Sequence, residues 1–289
     1  PSPSPSPPAA PAFTPPVPAT LPLAALHRCD RGLQAALVSI PRPEARHLVR
    51  RRAVGLGDED TPGVVAGVVD PLTIDRARLA LALGVLKGTH GRAAQHSCFG
   101  MHEWAMVYRT SPSDVRHESE SLRLSPTEIA GVVDNVGLRC THIDAFRFFT
   151  AEAEPLNEHT PTRARQANDE QPGCIHANMD LYKYAMWFQP YIPGNLVVDC
   201  FELSVYAREI DMRASPYDLE HLGYSPIAVE TINGRREYVS AQRDIATKAD
   251  SLRQSLITGL TAVDTAASAS TRHPMTNRDA TPIAATSAG

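Results

Sequence analysis

Residues 171–219 read QPGCIHANMDLYKYAMWFQPYIPGNLVVDCFELSVYAREIDMRASPYDL, and this stretch decides the fold. Two segments of helical periodicity flank the linker Gln189-Pro190-Tyr191-Ile192-Pro193-Gly194. Proline lacks the amide that a helix interior needs and disfavours helical geometry in the residue before it, so the linker ends the first helix. A connection this short predicts antiparallel packing of the two helices. On a 3.6-residue period, His176, Asp180, Lys183 and Trp187 share one face of the first. Asp199, Glu202, Tyr206 and Glu209, continued by Arg213, share one face of the second. Each segment also carries an apolar stripe: Met179, Tyr182 and Met186, then Val198, Phe201 and Val205. Two arrangements are open. The polar stripes face water, as most helical charges do, or they face each other with Asp180 and Glu202 at similar depth. The second encloses carboxylates, a histidine and one of only three lysines in the chain. Buried charges are costly unless paired, and clusters of them are often functional.

Composition narrows the class. The 289 residues allow one large domain or two small ones, and 43 % apolar content is ordinary for a globular core. A net charge of -4 and a pI near 6.3 provide no global basic field for nucleic acid, though a local arginine patch would suffice. The five cysteines (Cys29, Cys98, Cys140, Cys174 and Cys200) are odd in number, widely spaced and without a CxxC pair. Neither a zinc ribbon nor a disulfide framework is indicated, and reduced thiols predict a cytoplasmic protein. No apolar run reaches transmembrane length, so no membrane partner is expected.

Taken in order, residues 1–62 predict a disordered Pro/Arg-rich segment, since ten of the first 22 residues are Pro. A single mainly helical domain is expected over 63–260, with a disordered tail over 261–289. Within the domain, residues 74–87 predict a buried helix stopped by Gly88. Residues 98–109 are apolar except for His102, Glu103 and Arg109, and a His and a Glu in that setting need partners. Ser125-Pro-Thr-Glu128 is a capping box opening a helix that ends at Gly137. Residues 138–149 begin strand-like, and an extended chain would point His142 and Asp144 to one face. Residues 150–173 are too polar for a core element and predict a lid or wrapping loop carrying Arg163 and Arg165. Asn233-Gly234 suits a type I′ turn, so residues 227–239 predict a β-hairpin. A last helix over 240–259 keeps Ile245, Ala249, Leu252, Leu256 and Leu260 in register. The expected fold is mainly α, with an antiparallel helix hairpin, one small β-hairpin and disordered ends.

The segments CFGMHEWAMVYR, LRCTHIDAFRFFT, QPGCIHANMDLYKYA and DCFELSVYAREIDMRASPYDL together resemble an actinobacterial family labelled 3-methyladenine DNA glycosylase. The resemblance covers about residues 70–260. Family members carry an aromatic-rich segment with a His-Pro pair ahead of the helix at Ile74. Here that place holds the Pro/Arg-rich stretch with Phe13 its only aromatic residue, as a truncated or frame-shifted start would give.

Two functions follow. The resemblance implies a hydrolase that releases alkylated purines from DNA, which needs a flipped base stacked on aromatics and a carboxylate near the N-glycosidic bond. Asp180 or Glu202 would be that carboxylate, with Tyr182, Trp187 and Trp104 as stacking candidates and Arg147 or Arg163 for phosphates. The alternative is a metal-dependent enzyme acting on a small molecule. There a divalent metal is held by His142, Asp144, His176, Asp180 and Glu202, because helical bundles assemble carboxylate–His sites from facing helices. Across both, the catalytic candidates are Asp180, Glu202, Lys183 and His176. The substrate-binding candidates are His102, Glu103, Trp104, Arg109, His142, Asp144, Arg147, Tyr182, Trp187 and Asp199. A third outcome is a binding or structural protein whose paired charges only fix the helix packing.

Overall fold

The computed structural model describes residues 49–50, 68–111, 115 and 120–272. Most of the 1–62 segment and the chain beyond 272 therefore lie outside the described residues. Among those described there are eight α-helices: α1 (Arg76–His90), α2 (Met101–Ala105), α3 (Pro126–Val136), α4 (Ile143–Phe146), α5 (Gln166–Asp169), α6 (Ile175–Trp187), α7 (Gly194–Ala214) and α8 (Ile232–Arg272). A single antiparallel pairing, β1 (Val49–Arg50) with β2 (Val68–Val69), precedes them. The mainly helical class is as expected. No described helix is long and apolar enough to cross a membrane.

The frame is α6 and α7 packed on each other, with α8 lying across both and across α1. His176, in the first turn of α6, meets Asp211, in the last turn of α7, so the two helices run antiparallel. With 41 residues, α8 is about 60 Å long. Its inward seam is Tyr238, Gln242, Ile245, Ala249, Leu256 and Leu260, all fully buried. That helix is where sequence and structure part most clearly. Residues 227–239 form no hairpin; α8 starts at Ile232. The Thr231 hydroxyl accepts from the Gly234 amide at 3.0 Å, a helix N-cap, and it outcompetes the turn preference of Asn233-Gly234. Gly234 is needed for another reason: a Cβ there would sit 1.9 Å from the Ala228 carbonyl oxygen. At its other end α8 continues to Arg272, past the tail boundary that composition sets at 261.

Two smaller corrections concern α1 and α4. Gly88 is no stop, because α1 continues to His90 and is capped by Gly91. A Cβ on Gly88 would fall 2.1 Å from the Ala167 carbonyl oxygen, so the glycine admits α5 to close approach. The stretch at 138 is not a strand: Leu138 makes one bridge to Asn157, and His142 then becomes the N-cap residue of α4. The capping box at Ser125 forms as read, with reciprocal bonds between Ser125 and Glu128.

The hairpin forms, but with other faces inward. The buried side of α6 is Ile175, Ala177, Asn178, Leu181, Tyr184 and Ala185, and Met186 is 42 % exposed. On α7 the buried side is Leu196, Val197, Cys200, Leu203, Ala207 and Ile210, while Val198 and Phe201 are 54 % and 45 % exposed. The sequence of α7 carries apolar residues on more than one side, so periodicity alone does not select between its stripes.

Candidate functional site

Three imidazoles stand in a row where α2, α4 and α6 converge. The ring of His176 lies 4.2 Å from that of His102, edge to face, and 5.4 Å from that of His142. Carboxylates and cations are arranged around this row in two groups.

At one end, His102 Nε2 is 3.0 Å from Asp211 Oδ1 and 3.7 Å from Glu103 Oε1. Arg208 donates to Asp211 Oδ2 at 2.6 Å and to Glu103 Oε1 at 3.3 Å. Asp211 is wholly buried, and Glu103 and His102 nearly so. At the other end, His142 Nε2 is 3.3 Å from both Glu170 Oε1 and Asp180 Oδ2. Gln166 donates to Glu170 at 2.7 Å. Lys183 is bonded to Asp180 and lies 3.9 Å from Asp144, which Arg163 grips through both its oxygens. Asp144, Asp180 and Lys183 are only partly covered and form the mouth of the site. On the far side His102 and His176 border an enclosed cavity of about 20 Å³, also lined by Cys98, Cys140 and Cys174, with room for a single water or ion.

The carboxylates of Glu103, Asp144, Asp180 and Asp211 are paired with Arg163, Lys183 and Arg208, and Arg147 lies 3.6 Å from Asp144. Burial pushes the Glu170 carboxyl up, against the charge of His142. Burial alone would lower the pKa of His102, but the charges of Asp211 and Glu103 outweigh it and hold it at about 10. His142 is raised in the same way, by Glu170 and Asp180 against its burial. His176, between them, is pushed down to about 3 by burial and by His102, so it stays neutral. Asp180 is held well below the usual carboxylate range: burial opposes this, and Lys183 and His142 overcome it. Asp211 is held low likewise by His102 and Arg208.

Not every buried atom in this network is satisfied. His102 Nε2, Asp211 Oδ1, Glu103 Oε2 and His142 Nδ1 are buried with no hydrogen bond. His102 Nε2 and Asp211 Oδ1 are close enough to attract, yet their geometry is not that of a hydrogen bond. A separation of 3.0 Å is what two ligands make at a right angle about 2.1 Å from one ion. Two triads meet the proximity a metal needs: His102, His176 and Asp211, and His142, Asp144 and Asp180. Within each, the ligand atoms lie within 4.8 Å of one another. Mixed imidazole and carboxylate donors suit zinc and its first-row neighbours.

Of the residues singled out in the sequence, His102, Glu103, His142, Asp144, His176, Asp180 and Lys183 come together here. Arg147 reaches the rim, 3.6 Å from Asp144. Trp187 adjoins it, its ring 5.8 Å from Lys183 and 5.3 Å from Arg78. The others fall elsewhere. Asp199 and Glu202 are exposed on the outer face of α7, while Tyr206, Glu209 and Arg213 of the same stripe are half-buried, Arg213 being paired with Glu209 and Glu237. Trp104 is fully enclosed and its indole donates to the Ala214 carbonyl at 2.9 Å, a structural role. Arg109 is exposed beside Asp134, and Tyr182 packs its ring on Phe201 at 5.2 Å, away from the histidines. The structure adds Glu170, Gln166, Arg208 and Asp211. The last carried a readable signal: Asp211 sits four residues after Ala207 and eleven after Cys200, an acid within the apolar seam of a helix. No protein-family model matches the chain, and no curated protein or solved structure matches it.

Proposed function

We propose that the chain is a metal-dependent enzyme acting on a small molecule, by metal-assisted hydrolysis, at this His/carboxylate centre. The observation that carries the reading is a pair of buried ligand atoms without a hydrogen bond, His102 Nε2 and Asp211 Oδ1, in the triad that His176 completes within 4.8 Å. A divalent ion bound there supplies Lewis-acid chemistry. The residues around it do the rest. Neutral His176 offers a lone pair without first losing a proton. Arg208 fixes the orientation of Asp211 and Glu103, as outer-shell partners of ligands do. At the mouth, Lys183 and Arg163 hold Asp180 and Asp144 and present positive charge to an incoming anionic group. Cytoplasmic placement belongs to this reading and is supported by Cys98, Cys140, Cys174 and Cys200, which are free thiols.

The reading is tested by thermal melts of chelated protein titrated with zinc, manganese or cobalt. An ion that binds the folded state alone raises the midpoint with concentration. The expected result is a rise for at least one ion that vanishes in His176→Ala; midpoints indifferent to all three would overturn it.

The activity that the resemblance implies, release of alkylated bases from DNA, is the second reading. Arg147 and Arg163 on Asp144, with Lys183 joining Asp144 to Asp180 and Trp187 adjoining, favour it: cations for phosphates, a carboxylate and a ring at one mouth. Strand scission at 3-methyladenine sites, abolished in Asp180→Asn, would support it, and DNA left intact at high protein concentration would end it.

A further inference from the structure

The first turns of α8 present a second face, flanking the seam that packs on the core. Ile232, Arg235, Arg236, Val239, Ser240 and Arg243 recur along it at three- and four-residue spacing, and with Phe99 and Asp244 they line an open groove of about 600 Å³. The groove is separate from the histidine row. The inward neighbours on the same helix, Tyr238 and Gln242, stand between them, Tyr238 against Gly100 and Gln242 bonded to Cys98 Sγ at 3.2 Å.

Three features set this groove apart from a solvated helix face. Arg235, Arg236 and Arg243 have no carboxylate partner among the described residues, whereas most of the other described arginines do. With Asp244 as the only acid in the lining, the groove carries two net positive charges on a chain whose total is -4. Arg235 is held in place by donating to the Val229 carbonyl at 2.9 Å, which leaves the rest of its guanidinium free. Beside these cations the lining is apolar: Ile232 is 63 % exposed, and Phe99 is held at φ 48, a left-handed backbone that a bulky residue rarely adopts. Strained residues of this kind gather at binding sites.

The volume lies within the range of small-molecule sites, about 300–1,000 Å³. Arg236 and Arg243, two helical turns apart, are separated by about 10 Å along the axis. Guanidinium groups recognise phosphate by paired hydrogen bonds, and a flat ring is what a half-buried phenyl and an exposed isoleucine bind. A long nucleic acid fits less well, because the exposed acids Glu237, Asp244 and Asp250 interrupt the basic track along α8. We propose that the groove between Phe99 and the first turns of α8 binds a small phosphate-bearing molecule with a flat ring, of the mononucleotide class.

Isothermal titration of the full chain with adenosine monophosphate, ribose 5-phosphate and a short single-stranded oligonucleotide tests this. The expected result is saturable 1:1 binding of the mononucleotide, weakened about tenfold or more in the Arg236→Ala/Arg243→Ala double variant. Phe99→Ala weakens the mononucleotide several-fold and leaves ribose 5-phosphate unchanged, while a folded His176→Ala protein binds as the wild type does. Any of four results overturns the proposal: no saturable binding up to about 5 mM, affinity indifferent to the two arginines, affinity lost with His176, or an oligonucleotide bound more tightly as it lengthens.

Discussion

Replacing Asp211 by asparagine keeps the shape of the side chain and removes one charge. Asp211 is wholly buried, 3.0 Å from His102 and 2.6 Å from Arg208. In metal-free, chelator-treated Asp211→Asn the guanidinium of Arg208 retains Glu103 at 3.3 Å, but the imidazolium of His102 loses its nearer partner. Removing one member of a buried ion pair costs about 3–5 kcal/mol, because the other charge is left uncompensated. The remaining contacts of Arg208 with Glu103 place this variant at the lower end, about 3 kcal/mol. For a folded unit of roughly 200 residues that is a fall of about 6–12 °C in melting midpoint. Urea denaturation, followed by circular dichroism and by tryptophan fluorescence, reads the first quantity, and a thermal melt reads the second. A variant within about 0.5 kcal/mol of the wild type would refute the reasoning, since a solvated aspartate is the only kind whose charge can be deleted so cheaply.

Glu202→Gln and Asp199→Asn, on the exposed face of α7, are expected to stay within about 0.5 kcal/mol of the wild type in the same urea titration. Gly88→Ala is expected to destabilise by about 1–3 kcal/mol, although alanine is the better helix former, because the new methyl meets the Ala167 carbonyl; a stabilised variant in thermal melts would contradict the packing of α5 on α1. Thr231→Ala removes the cap of α8 and is expected to cost about 1 kcal/mol, with hydrogen exchange of the first-turn amides rising ahead of the rest of the helix.

The legible part of this chain is the part where local signals and tertiary packing agree. The Ser125 capping box, the Pro-ended α6 and the inward register of Ile245, Ala249, Leu256 and Leu260 each had one physical reading. His176, Asp180 and Lys183 were found because they share a helix face beside a polar cluster. Of these, only His176 meets α7, at Asp211 on a stripe other than that of Asp199 and Glu202, while Asp180 and Lys183 meet His142 and Asp144. With Val198, Phe201 and Val205 on one side and Leu196, Cys200, Leu203 and Ala207 on another, burial is decided by how α6 and α8 pack on α7, which periodicity within α7 does not contain. Glu170 was hidden for a different reason: it sits in a polar, Pro-broken stretch that reads as solvent-facing, and only the fold of 150–173 over His142 encloses it. At Asn233-Gly234 turn propensity and helix capping compete for the same residues, and the Thr231 hydroxyl settles the contest.

The central claim is that the row of His102, His176 and His142, with its acids, is a metal centre. Elemental analysis of protein purified without tag or chelator, after gel filtration, tests it most directly. The prediction is about one equivalent of a first-row divalent ion per chain, held at the His102, His176 and Asp211 triad and falling below half in both His176→Ala and Asp211→Asn. Wild-type protein holding less than about a tenth of an equivalent, and taking up none on dialysis against zinc or manganese, would contradict it.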